Sequence, residues 1–143
     1  MFVVLVMLAL LILGFFFTPS SVIHNPTLRV FGIVLMLFGF DFATWAKNYM
    51  GSNWSMPTGK IEGGELITTG PFRYIRHPIY SGIWLAMVGT ALATNWHLLA
   101  VPLAYGVEFV YYAHLEERDL TRKHPAAYPA YQAKSKMILP FIW

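Results

Sequence analysis

Four apolar runs constrain this chain more than any other feature of its sequence. They fall at about residues 2–17, 28–46, 79–94 and 98–115. A helix crossing a bilayer needs roughly 20 apolar residues, and each run approaches that length or meets it with some tilt. Charge is scarce elsewhere: the chain is 57% hydrophobic and 12% charged, where a soluble domain carries about 25% charged residues. The expected fold is an all-α membrane protein with about four transmembrane helices, in a single domain over residues 1–143. A signal peptide would give the first run a basic leader and a small-residue cleavage site, and neither is clear in it.

The basic residues orient the runs. Lys47, Lys60, Arg73 and Arg76 lie between the second and third runs, and Arg118, Arg122, Lys123, Lys134 and Lys136 follow the fourth. The connectors "TPSSVIHNPT" and "TNWH" carry no Lys or Arg. Positive residues stay on the cytoplasmic side. The segments 47–78 and 116–143 are therefore expected to be cytoplasmic, with both termini inside and a multi-pass topology. Arg29 sits at a helix edge, where a long side chain snorkels to the surface. Only "TNWH" separates the last two runs, so a tight antiparallel helical hairpin is expected there.

Several function classes drop out. No cysteine is present, which removes disulfides, thiolate metal sites and cysteine nucleophiles. The histidines at 24, 77, 97, 114 and 124 lack paired metal-ligand spacing, so no metal is expected. The net charge of +3 flanks apolar runs and forms no basic stripe, so no nucleic-acid partner is expected. The glycines of "GKIEGGELITTG" do not follow a phosphate-loop order. Membrane lipids and a lipophilic small molecule are the expected partners.

Three constellations carry chemistry. In "RYIRHPIY", Pro78 suits the first turn of a helix, with His77 at its cap and Tyr80 one turn in. Arg73, Arg76 and His77 at that helix start read either as an anion-attracting corner or as a positive anchor on lipid headgroups. In "HLEERDL", Glu116 and Glu117 are expected to close the last long helix, where carboxylates oppose the helix dipole. They read either as a solvated cluster or as partners of a cation. Asp41 and Glu108 lie inside apolar runs, where ionisable groups face a cavity or a partner. Glu108 follows Pro102 and Gly106, which loosen a helix.

Together "GSNWS", "GGELITTGPFRYIRHPIYSG", "EERDL", "YPAY" and "LPFIW" resemble the isoprenylcysteine carboxyl methyltransferase and phospholipid methyltransferase family of membrane enzymes. The resemblance covers about residues 45–143. It implies S-adenosylmethionine as methyl donor, bound in a cytoplasmic pocket formed by a loop, the last helical hairpin and the C-terminal segment. By motif match it implies cofactor contacts at His77, Pro78, Ile79, Tyr80 and Glu116, with further contacts at Gly64, Glu65, Leu66, Ile67 and Phe72. Arg76 joins this set from the basic corner. Glu116 suits the cofactor's ammonium and the His77 corner its carboxylate. Trp54, Phe72, Tyr74 and Tyr80 suit its adenine or its sulfonium.

Two departures from the family pattern stand out. Phe72 replaces a tyrosine of related enzymes. Tyr112 stands where prenylcysteine methyltransferases carry a substrate-engaging arginine, so a carboxylate acceptor loses its expected cation. The acceptor class is then a phospholipid amine, a prenylcysteine-like carboxylate or another small lipophilic amine, acid or thiol, with Tyr112 or Glu108 placed to assist proton removal. Two other readings remain at this level. Sterol reductases, which bind NADPH, resemble the C-terminal half of such chains but have many more spans. A non-catalytic membrane scaffold would bind no cofactor.

Overall fold

A computed structural model of the chain describes residues 22–51 and 66–139. The first apolar run and residues Trp54, Gly64 and Glu65 lie outside the described residues. Four α-helices account for most of what is described: α1 Pro26–Met50, α2 Pro78–Thr94, α3 Ala100–Lys123 and α4 Ala127–Gln132. Two 3-10 turns join them, Gly70–Arg73 before α2 and Trp96–Leu99 before α3. Among the described residues there is no named strand, only isolated bridges.

The helix starts follow from local chemistry. Asn25 accepts the Leu28 amide on its side chain at 3.1 Å, and Pro26 behind it lacks only an amide that a first turn leaves unpaired. At α2 the same logic repeats: the Ser81 amide donates to the His77 carbonyl at 3.1 Å, so His77 caps and Pro78 opens the helix. Asn95 opens the α2–α3 connection by accepting the His97 amide on its side chain at 2.9 Å. The expected tight hairpin at "TNWH" is thus a capped 3-10 turn leading into α3.

One boundary differs from the sequence expectation. Helix α3 does not close at Glu116 and Glu117; it continues to Lys123, with Arg122 and Lys123 in its last turn. Those cations complement the helix dipole, so the two glutamates sit inside a helix and need no terminal compensation. Two segments, Pro26–Met50 and Trp96–Lys123, are long and apolar enough to cross a membrane, while α2 is an apolar helix of 17 residues.

Tertiary contacts divide the described residues into two units, 22–41 with 82–108, and 42–51 and 66–81 with 109–139. In the first unit, α1 and α2 run antiparallel and meet backbone to backbone. A Cβ on Gly39 would fall 2.5 Å from the Ala86 nitrogen and 2.6 Å from the Gly82 carbonyl oxygen. One Cβ on Gly89 would collide with Met36 and Gly32. Glycines seven apart on each helix therefore form a seam, in the manner of membrane helices that associate through small residues. The other side of α1 carries Val30, Phe31, Val34, Leu37, Phe38 and Phe40, all exposed, as a lipid-facing surface requires. On the opposite side of α2, the Trp84 indole donates to the Pro102 carbonyl at 2.8 Å.

In the second unit, Ala113, Met137 and Ile138 form a small core with Tyr80, Phe109, Val110 and Leu139 against it. The C-terminal stretch reaches this core by pairing beside the loop that precedes α2. Lys136 donates its amide to Tyr74 at 2.9 Å, and Arg76 and His77 donate theirs to Lys136 and Met137 at 2.8 and 3.0 Å. The Ser81 hydroxyl adds a bond to the Ile138 carbonyl at 2.6 Å.

The glycine seam generates a prediction. Gly39→Leu should lower stability by about 1–3 kcal/mol or more, the usual cost of overpacking, because the neighbouring atoms are backbone and cannot rotate away. Val34→Leu, on the exposed side of the same helix, should leave stability unchanged. Unfolding in detergent by circular dichroism distinguishes the two.

Candidate functional site

The charged residues that sequence placed in separate motifs meet in the second unit. Arg76, at the end of the loop before α2, reaches the α3 residue Glu117: its Nε lies 2.6 Å from Oε1. The same guanidinium donates through Nη1 to the carbonyls of Gln132 and Ser135 at 3.3 and 2.5 Å. Gln132 in turn donates its side-chain amide to the other Glu117 oxygen at 2.8 Å. Both side chains are nearly enclosed, at 11% and 9% exposure. A buried pair persists only when hydrogen bonds beyond the pair support it; here Gln132 and Ser135 supply them.

His77 bridges the two glutamates. Its Nε2 faces Glu117 Oε1 and its Nδ1 faces Glu116 Oε2, each at 3.3 Å. Both ring nitrogens thus oppose carboxylates, an arrangement that the imidazolium form satisfies with two donors. Burial of the ring favours the neutral form, but hydrogen bonds and charge from Glu116 and then Glu117 outweigh it and raise the pKa above 6.5.

Glu116 is held differently from its neighbour. The Tyr80 hydroxyl donates to its Oε1 at 2.6 Å, and its side chain stays 33% exposed. A carboxylate offers about four acceptor positions. Tyr80 and His77 occupy two, so Glu116 retains acceptor capacity on an open side, while Glu117 accepts three bonds, from Arg76, His77 and Gln132, and is enclosed. Adjacent residues of one helix therefore present one open and one enclosed carboxylate.

The aromatic residues are also ordered by this cluster. The Tyr80 ring stacks on His77 at 5.6 Å and 13°, and on Phe109 at 5.0 Å and 8°. Its ring thus lies nearly parallel to both neighbours. Phe72 is 3% exposed, and its carbonyl accepts the Tyr131 hydroxyl at 2.5 Å. Tyr74, by contrast, is 54% exposed.

Of the residues expected from sequence, Arg76, His77, Tyr80 and Glu116 come together in one network. Pro78 is fully buried and Ile79 half-buried beside them. Tyr112 is half-buried, close enough to Tyr80 for their phenols to interact. Leu66 and Ile67 are half-buried, and Leu66 lines a groove elsewhere on this unit. Glu108 is half-buried and belongs to the first unit. Arg76, open between two readings on sequence, is committed to Glu117 and two carbonyls. Sequence reasoning missed Gln132 and Ser135 and left Glu117 open between a solvated cluster and the partner of a cation; the cation is Arg76. One signal was present: Ala113 and Glu117 are four apart, and both are buried, so the buried face of α3 continues past the apolar run.

The phospholipid methyltransferase family matches residues 27–126. The chain belongs to the phospholipid methyltransferase family. Within the family's match lie α1, α2, α3 and the whole of the His77–Glu116–Glu117 arrangement. Two curated relatives are similar over part of the chain. A methanethiol S-methyltransferase of Crocosphaera subtropica is 32% identical over 71 residues, which is 50% of this chain and 28% of that protein. A methanethiol S-methyltransferase of a Pseudomonas species is 35% identical over 69 residues, 48% of this chain and 26% of that protein. The aligned part thus spans little more than a quarter of either relative.

Two predictions follow from the network. Glu117→Ala removes one partner of a buried pair and leaves Arg76 and His77 facing an unfilled site, which should cost about 3–5 kcal/mol; Glu116→Ala should cost far less. Thermal unfolding of both variants in the same detergent provides the comparison. The pH dependence carries a definite sign. Because folding raises the His77 pKa, its contribution is fully present below the unfolded value near 6.5 and is lost as pH rises through the folded value. Stability should fall across that window in the native chain, and His77→Gln should flatten the decline.

Proposed function

We propose that this chain is an integral membrane, multi-pass methyltransferase that uses S-adenosylmethionine to methylate a lipophilic acceptor. The observation that carries the reading is the open Glu116 carboxylate, fixed by Tyr80 and His77 in a chain that belongs to the phospholipid methyltransferase family. A carboxylate with unused acceptor positions fits the ammonium of the cofactor. When bound, S-adenosylmethionine supplies a methyl group on a positively charged sulfur, open to in-line displacement.

The protein's task in such a transfer is positioning and exclusion of water. Tyr80 and His77 fix the Glu116 rotamer, so the carboxylate is in place before a ligand arrives. Arg76 and Glu117 hold the stretch 132–138 against the loop and α2, which keeps one wall of the site closed. The Tyr80 ring already stacks with His77 and with Phe109.

The acceptor follows from what is absent and what is similar. Tyr112 in place of an arginine weighs against a carboxylate acceptor. The names of the two relatives favour a small thiol, and the family's name favours a phospholipid amine. Either acceptor must shed a proton, and Tyr112 and Glu108 are the proposed assistants. A cytoplasmic site with both termini inside agrees with the distribution of Lys and Arg.

Purified protein in detergent should bind S-adenosylmethionine or its demethylated product in calorimetry. Glu116→Ala should weaken that binding about ten- to a hundredfold, the value of one charge-assisted hydrogen bond, with the fold retained. Binding of NADPH instead, or unchanged cofactor affinity in Glu116→Ala, would sink the reading.

A further inference from the structure

A second feature of the same unit has no part in the network described above. It is a surface groove between the turn before α2 and helix α4. Its lining includes Leu66, Thr68, Arg73, Tyr74, Tyr131 and Lys134. Arg73 stands on one wall and Lys134 on the other. Both are exposed, and neither forms an ion pair with a carboxylate among the described residues. Arg73 lies over the Tyr74 ring at 5.5 Å, a contact that steadies the guanidinium without neutralising it.

The walls are braced against relaxation. Phe72 is buried under the turn, and Tyr131 ties α4 to its carbonyl. Burial pushes the Tyr131 phenol up to about 12, so it remains a neutral donor. Arg76 fixes the end of α4 through the Gln132 and Ser135 carbonyls. Two cations on braced walls of one groove repel each other, and an anion between them removes that cost. Thr68 adds a hydroxyl, and Leu66, Tyr74 and two alanines give the groove an apolar side.

We propose that this groove binds the phosphate of an anionic lipid headgroup through Arg73 and Lys134, at a site separate from Glu116. The choice of a lipid over free phosphate rests on the membrane reading of the chain and on position. The turn ends five residues before Pro78 opens an apolar helix, and basic and tyrosine side chains at such helix starts meet headgroups. The site anchors and orients the protein at the surface and does not require that the bound lipid be methylated.

The test uses the full chain in a non-ionic detergent with three probes: short-chain phosphatidylglycerol, short-chain phosphatidylcholine and inorganic phosphate. Phosphatidylglycerol should bind more tightly than the other two and weaken with added salt. Arg73→Gln with Lys134→Gln should weaken it about tenfold or more, while Arg73→Lys with Lys134→Arg should retain it. S-adenosylmethionine affinity, measured on the same samples, should not change in either pair, which keeps this inference separable from the proposed activity. Equal phosphatidylglycerol binding by the native chain and the Gln pair would overturn the proposal. So would inorganic phosphate or phosphatidylcholine binding as tightly as phosphatidylglycerol.

Discussion

The pair between Arg76 and Glu117 is the contact on which the second unit depends. One guanidinium joins the loop before α2, the middle of α3, the end of α4 and the stretch beyond it, through a carboxylate and two carbonyls. Neither charge tolerates the loss of the other, because enclosing an ion is costly unless its partner and hydrogen bonds are in place. Further bonds support the pair accordingly: Gln132 takes the second Glu117 oxygen, and His77 shares the first. What results is a fixed platform from which Glu116, one residue earlier on the same helix, emerges half-open. Neighbouring glutamates thus have opposite surroundings, one sealed from water and one reachable, and the proposed function rests on the second.

Much of this fold was legible in the sequence because apolar runs and caps act locally. His77–Pro78 announced a helix start, and "TNWH" announced the turn between α2 and α3. The end of α3 was not legible. The "EERDL" motif looks like a polar stop, yet the helix runs on to Lys123, since a helix end is set by its terminal dipole partners and by the following "HP" rather than by the first charges. The close approach of α1 and α2 was also hidden. Glycines at 32, 39, 82 and 89 are ordinary in isolation, and become a seam only when two helices are set antiparallel.

The candidate site was readable in its parts and unreadable in its division of labour. His77, Tyr80 and Glu116 were singled out, and they do meet. Arg76 could not be assigned from sequence because its partner, Glu117, is 41 residues away, and the carbonyls it uses belong to a tail with no motif at Gln132 or Ser135. The stacking of Tyr80 with Phe109 was equally invisible, since it depends on α3 lying beside the first turn of α2. Sequence named the groups with chemistry; packing decided which of them hold the protein together and which remain available.

That distinction between the two glutamates is the centre of this account, and carboxylate labelling tests it directly. A water-soluble carbodiimide with an amine, followed by peptide mass spectrometry, reports the reactivity of Glu116 and Glu117 in the folded chain. The account predicts that Glu116 is modified, that Glu117 is protected until the protein unfolds, and that S-adenosylmethionine shields Glu116. Equal modification of both residues, or labelling of Glu116 that saturating S-adenosylmethionine does not slow, would contradict it.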